Sequence, residues 1–542
     1  MPYRALVPVL LAVALALPPR GAAQASAHLQ PLDPVHRDLD RLAAWGLIDT
    51  ILVGQRPYSR AQAARLTARA LRGRARLPAE SPLAPAANRA LARLTGRLAP
   101  ELEAIGVLLP LDEIPLRTEV RVDAGWTDSP GRTIPDNQLG TTAAILNPLR
   151  AYDLGRSARA GTSAGVELAV AGTAGSRVAG SVRTRAELVA PEGGDTDVLL
   201  DLATASGRVL LGNVALTVGR EHVVWGQSPR GGLVLSTNPG ALLAASIANE
   251  FPAALPGPLG VLGPARVQLL FADLGTEAQR FAHTTLFGAR ASILPSPRLE
   301  LGAQLLVQSG GEGAPSQSLR DRLLDYLFLP DVFSKRELEA SNKLAALDAR
   351  LRVPEARGLE LWVEMAIDDI DIDRFRSMMW EDGSWSVGAR IERLDAEGRL
   401  ALRLEGEHTG LRMYEHFQFT SGLTLAGRLL GSELGPNANA GTLGLDWELG
   451  DEDALLLEGT VERRSVDPYR LIAGTPYYFA RTDILPAETR WRARAAWERR
   501  TVEGRFDLRV ETGYERVEGF AFTEGRTLHS LLARTVLVAR VP

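Results

Sequence analysis

From Pro115 onward the polarity of this chain flips at every second residue, in runs of ten or more, and few folds accept such a pattern. Between Leu116 and Trp126, one side carries Leu116, Thr118, Val120, Val122, Ala124 and Trp126. The other carries Arg117, Glu119, Arg121 and Asp123. That is the period of a strand with one apolar and one charged face. It returns with Val178, Val182, Ala186 and Leu188 against Arg177, Arg183, Arg185 and Glu187. Leu359, Leu361, Val363, Met365 and Ile367 oppose Glu360, Glu364 and Asp368; Trp491, Ala493, Ala495 and Trp497 oppose Arg492, Arg494 and Glu498. Phe506, Leu508 and Val510 against Asp507, Arg509 and Glu511 continue it, and Leu532 to Val541 again has strand length.

A soluble sandwich alternates too, so strand length, strand number and charge density decide between the two. These strands are long enough to cross a bilayer at a tilt. The roughly 430 residues beyond Pro115, at about 24 per strand and turn, give on the order of 16 to 18 strands, within the range of outer-membrane barrels. Each cation facing lipid would cost about 2–4 kcal/mol at the midplane. The apolar set therefore belongs outside, with arginine and carboxylate ladders lining the lumen. The expected fold is mainly β, a transmembrane antiparallel β-barrel over residues 113–542, with a large soluble β architecture as the alternative.

The N-terminal region has a different rhythm. Residues 1–25 read as a secretory signal peptide: Arg4, an apolar run from Ala5 to Pro19, then the small-residue stretch GAAQASA. No segment reaches eighteen consecutive apolar residues, which excludes a helical membrane protein. Residues 26–112 are expected to form a small periplasmic helical bundle. Leu39, Leu42 and Trp45 make one stripe, Ser59 and Gln62 a capping box, and Leu91, Leu94, Leu98, Leu102 and Ile105 a third helix. The arginines of this segment, among them Arg60, Arg65 and Arg69, suit a solvated outer face, with a polyanion site as the alternative.

Removing Arg4 and Arg20 with the signal from the 61 basic residues leaves 59 against 65 acidic, a formal charge of −6. That sign speaks against a nucleic-acid partner. The chain has no cysteine, so thiolate metal sites and a Cys nucleophile are excluded.

One segment fits neither period. Gly219 to Asn238, GREHVVWGQSPRGGLVLSTN, is followed by Pro239, Pro252, Pro256, Pro258 and Pro264, and strand alternation resumes only at Val267. The expectation is one ordered insertion over about 219–264, folded into or over the lumen.

Trp225-Gly226-Gln227, Gly231-Gly232-Leu233, Leu235 to Asn238 and Leu262-Gly263-Pro264 resemble the signature of the capsule assembly protein Wzi family. So do Tyr414, His416, Gly422, Gly427 and Gly435-Pro436-Asn437, and the acidic EMAIDDID at 364–371. The resemblance implies a barrel of about 18 strands with a periplasmic bundle, acting as a lectin that holds capsular polysaccharide at the cell surface.

A glycan site needs aromatic faces for sugar rings and fixed donors for hydroxyls and carboxylates. Trp225 is suited to stacking; Arg220, Gln227, Arg230 and Asn238 to donation, with arginine able to clamp a uronic acid. Tyr414 and His416 join these polysaccharide-binding candidates. Each has a plainer role open to it: arginines pairing with lumen carboxylates, Trp225 in an interfacial belt, glycines serving turns. Asp368, Asp369, Asp371 and Asp373 cluster but lack the glycine and glutamate of a calcium loop, so no metal or other cofactor is expected. No nucleophile elbow, zinc motif or phosphate loop is present, which points to a non-enzymatic protein. Expected partners are capsular or surface polysaccharide, outer-membrane lipid and a polysaccharide export machinery. The competing reading is a porin-like channel for sugars or anions.

Overall fold

In the computed structural model of the chain the described residues are 24–108, 116–130, 132–133, 145–156, 159–191, 194–326, 340–368, 382–465, 470–471, 479–480 and 486–541. The signal segment therefore lies outside them, apart from Gln24 and Ala25, as do Asp369, Asp371 and Asp373.

Eighteen antiparallel strands close into one barrel. In chain order they are β1 (Leu116–Thr127), β2 (Gly161–Ala174), β3 (Val178–Ala190), β4 (Asp197–Leu211), β5 (Val214–Glu221) and β6 (Leu242–Asn249). There follow β7 (Pro264–Asp273), β8 (Thr285–Ser296), β9 (Leu299–Ser309), β10 (Ser341–Val353), β11 (Leu359–Asp368) and β12 (Ser384–Ile391). The last six are β13 (Leu400–Thr409), β14 (Ala438–Glu448), β15 (Asp453–Arg464), β16 (Glu488–Arg500), β17 (Phe506–Glu518) and β18 (Thr527–Val541). Each strand pairs with the next in sequence, and β18 closes on β1 from Thr118↔Val541 to Thr127↔Leu532.

The alternation sorts as expected. Val122, Val166, Val182, Leu361, Val461 and Leu537 are exposed on the outer wall, and outward Trp126, Trp385 and Trp491 against Trp447 and Phe506 mark its two ends. The inner face is a ladder of ion pairs: Glu119 takes Arg183 at 2.8 Å and Arg540 at 2.9 Å, and Arg352 joins Glu300 and Glu360, each at 3.2 Å.

One barrel end has tight turns and the other long connections. Four helices, α1 (Pro34–Ala44), α2 (Arg60–Ala75), α3 (Ala84–Arg97) and α4 (Ala99–Ala104), cover the tight-turn end. Asp33 caps α1, accepting from Val35 N at 3.0 Å, and Ser59 with Gln62 forms the capping box of α2. The expected third helix is divided between α3 and α4, with Pro100 near the start of the second piece. Leu39, Leu42, Leu91, Leu94, Leu98 and Leu102 form the shared core of the four.

This bundle is joined to the barrel by buried ion pairs and is not a free-standing unit. Arg41 donates to Glu448 at 2.5 Å, and Arg93 bridges Asp38 at 2.8 Å and Glu448 at 2.9 Å. Burial alone would raise the Asp38 pKa, but Arg500 and Arg93 outweigh it and hold the carboxyl well below its usual range. The expectation of a solvated arginine face fails at Arg60, which is buried and pairs with Glu101 at 2.7 Å.

A second difference concerns residues 219–264. Strand β6 divides that stretch into a loop at 222–241, inside the lumen, and a turn at 250–263 at the bundle end. β6 reads LLAASIAN: its lumen side carries Leu242, Ala244 and Ser246, uncharged where the loop packs, so the contrast between charged and apolar faces is missing.

Candidate functional site

The loop at 222–241 folds back into the barrel because its glycines allow contacts no side chain would. Gly226 has φ +113° and a Cβ there would meet Gly232 Cα at 2.4 Å. At Gly232 it would meet Glu364 Oε2 of the wall at 2.2 Å. Within the lumen Val224–Trp225 pairs antiparallel with Gln55–Arg56, so a segment between α1 and α2 enters the barrel and adds a strand to the loop. A further loop, 410–437, descends from the long-connection end. Trp225, Leu233, Val234, Leu235, Met413, Tyr414, Leu423 and Leu430 then form an apolar core inside a charged lumen. Among the described residues the lumen is plugged.

Most of the residues singled out from the sequence hold this plug together. Trp225 is 0% exposed, its indole N–H donating to Gln268 Oε1 at 3.0 Å, so no face is open for a sugar ring. Gln227 donates to Asp348 Oδ1 at 2.6 Å and accepts from Arg350 Nε at 3.1 Å. Asn238 donates to Leu429 O at 3.0 Å. The Tyr414 hydroxyl donates to Leu233 O at 2.6 Å and accepts from Ser432 N at 2.8 Å, while its own N–H donates to Asp368 at 2.7 Å. His416 is buried, its Nδ1 accepting from Gln418 N at 3.1 Å.

The two arginines differ from these five. Arg220, near the long-connection end of β5, is 38% exposed and meets Asp201 at 3.3 Å. Arg230 pairs with Glu458 and lies 5.3 Å over the Tyr152 ring. It lines a small pocket between plug and wall, together with Tyr152, Glu405, Glu407, Glu433 and Arg492. Burial and the neighbouring Glu462 push the Glu433 carboxyl above its usual pKa. The cavity thus offers guanidinium donors, carboxylate acceptors and one aromatic ring, groups that bond hydroxyl-rich ligands.

Sequence reading missed Tyr152, the glutamates lining this cavity, and the entry of residues 55–56 into the lumen. The glutamates on the strands were visible only as one face of an alternation, and nothing in their spacing separates a ladder partner from a cavity wall.

A closed barrel of long antiparallel strands, apolar outside and charged within, with its lumen filled from both ends, is an outer-membrane β-barrel protein of the plugged kind. The chain belongs to the capsule assembly protein Wzi family, whose sequence profile matches residues 131–530. Comparison with curated protein sequences gives no match. Among solved structures the chain is similar to Wzi of Escherichia coli, described as an outer-membrane protein involved in group 1 capsule assembly and a carbohydrate-binding β-barrel. Identity is 17% over 95% of this chain and 99% of that one, with a TM-score of 0.64. Weaker likenesses are to OprD of Pseudomonas aeruginosa (10% identity, 79% and 94% covered, TM-score 0.42) and OccAB2 of Acinetobacter baumannii (9%, 79% and 98%, 0.44). At those values they carry no further weight.

Proposed function

We propose that this protein is a non-enzymatic, lectin-like outer-membrane protein that binds capsular or surface polysaccharide non-covalently during its assembly and attachment. The observation that carries the reading is the plug. A lumen filled by 51–56, 222–241 and 410–437 leaves a channel little to conduct through, while the long-connection end offers Arg220, Arg230 and the Tyr152 cavity edge to a polymer. In this reading the long connections face outward and the helices face the periplasm, where an export machinery would meet them. Contacts are individually weak, and retention comes from many repeats of one polymer meeting many copies of the protein. Deleting the gene should move polysaccharide from cells to medium while total synthesis continues; an unchanged cell-bound fraction would overturn the proposal.

A further inference from the structure

The connection between β9 and β10 carries a helix, α5 (Leu319–Tyr326), that lies on the outside of the barrel wall. Ser318 caps it, accepting from Asp321 N at 3.1 Å. Register places its seat: Phe271↔Phe287, Phe287↔Val307 and Val307↔Lys343 are successive cross-strand pairs, so these four side chains form one row across β7 to β10. The row is outward, because the neighbouring positions Leu270, Leu286, Leu306 and Leu344 belong to the plug core inside. Tyr326 covers it, stacked on Phe287 at 4.4 Å and edge-on to Phe271 at 6.0 Å.

The same helix supplies Asp325, fully buried, which meets Lys343 at 3.1 Å and accepts from Ser341 at 2.9 Å and Gln317 at 2.7 Å. An outward lysine is costly deep in a bilayer and cheap near its edge. The row lies two residues from the long-connection ends of its strands, at Asp273, Thr285, Ser309 and Ser341, which sets its level near the edge of the apolar zone. Beside this contact, Leu319 and Leu323 are 74% and 51% exposed. With Tyr326 they make an i, i+4, i+7 stripe, so one apolar flank of the helix continues the outward surface of the barrel. Arg320 stands off that stripe and is exposed.

We propose that α5 is an interfacial helix: its Leu319–Leu323 stripe inserts among lipid chains just below the headgroups, widening the membrane footprint beyond the strands themselves. Short amphipathic elements settle at this depth when an apolar flank is offered beside a polar one. Tyr326 and Asp325 fix the helix to the wall, so the leucines meet the bilayer in one orientation. The occupant is lipid because the stripe ends on Tyr326, which lies against Phe271, itself exposed on the wall that carries outward Leu347.

The chain has no cysteine, so single labels are clean. The inference rests on the outer wall facing lipid, and Leu347, outward at mid-strand and exposed, tests that separately. Leu323→Cys, Leu347→Cys and Arg320→Cys, each labelled with bimane, are reconstituted as full-length protein in phosphatidylcholine vesicles with nitroxides high or low on the acyl chain. The expected result is quenching of the Leu323→Cys label by the high nitroxide, of the Leu347→Cys label by the low one, and of the Arg320→Cys label mainly by aqueous iodide. Iodide quenching of the Leu323→Cys label without lipid quenching, while the Leu347→Cys label still responds to lipid, would overturn the interfacial helix alone. No lipid quenching in either leucine variant would overturn the membrane assignment of the outer wall as well. Shielding of the Leu323→Cys label from both quenchers would place a protein contact there and equally contradict the proposal.

Discussion

Gln227 donates to Asp348 Oδ1 at 2.6 Å, and the same carboxylate holds Arg290 through bonds of 2.8 and 3.0 Å. The lumen loop is thus fastened to a guanidinium and carboxylate pair whose side chains are both fully buried. Removing one partner of such a pair leaves the other charged and dry. Asp348→Ala is expected to cost on the order of 3–5 kcal/mol, and Gln227→Ala about 1–3 kcal/mol for the unmade hydrogen bonds. Urea unfolding in detergent micelles, followed by tryptophan fluorescence, measures both.

The glycines of the loop predict a conductance change. A methyl at Gly226 would sit 2.4 Å from the Gly232 Cα, whereas at Gly240 nothing lies within 4 Å. Wild-type protein should pass almost no current in planar bilayers, Gly226→Ala should show added open events as the loop unseats, and Gly240→Ala should match wild type.

Trp225 separates a packing role from a binding role. Trp225→Phe keeps a ring in the plug but removes the N–H that serves Gln268, a loss of roughly 1–3 kcal/mol. Stability should fall while polysaccharide retention on folded protein stays unchanged. A selective loss of retention at full stability would show that the ring touches the polymer.

His36 makes seating of the bundle depend on pH. Burial, with Arg56 nearby, lowers its pKa from 6.5 to about 4, against the opposing pull of Asp33 and Asp40; its ring lies 5.1 Å from Tyr58. Between those values the unfolded chain binds a proton that the folded chain refuses. Stability is therefore full above pH 6.5 and falls as pH drops toward 4, by as much as about 3 kcal/mol at that site. His36→Phe should flatten this part of the profile in denaturation midpoints measured from pH 7 down to about pH 4.

The barrel was legible because each strand repeats one rule, apolar out and charged in, long enough to be counted. Ser59 and Gln62 announced α2 for a similarly local reason: a cap is made by neighbours in sequence. β6 was hidden because its inner face, Leu242, Ala244 and Ser246, packs against the plug and carries no charge, a demand made by residues far away. Trp225 and Tyr414 belonged to the right segments, yet sequence alone did not separate an aromatic that stacks on a ligand from one that closes a core. That distinction depends on which loops meet inside the lumen.

The most direct test is polysaccharide binding by the purified barrel. Immobilised wild-type protein should retain the capsular or surface polysaccharide of its own cells. Arg230→Ala and Arg220→Ala together should weaken that retention about tenfold, on the scale of one or two lost charged hydrogen bonds, with the unfolding midpoint unchanged for Arg220→Ala alone. Absence of any retention by folded wild-type protein, together with appreciable conductance in bilayers, would contradict the account and favour a channel.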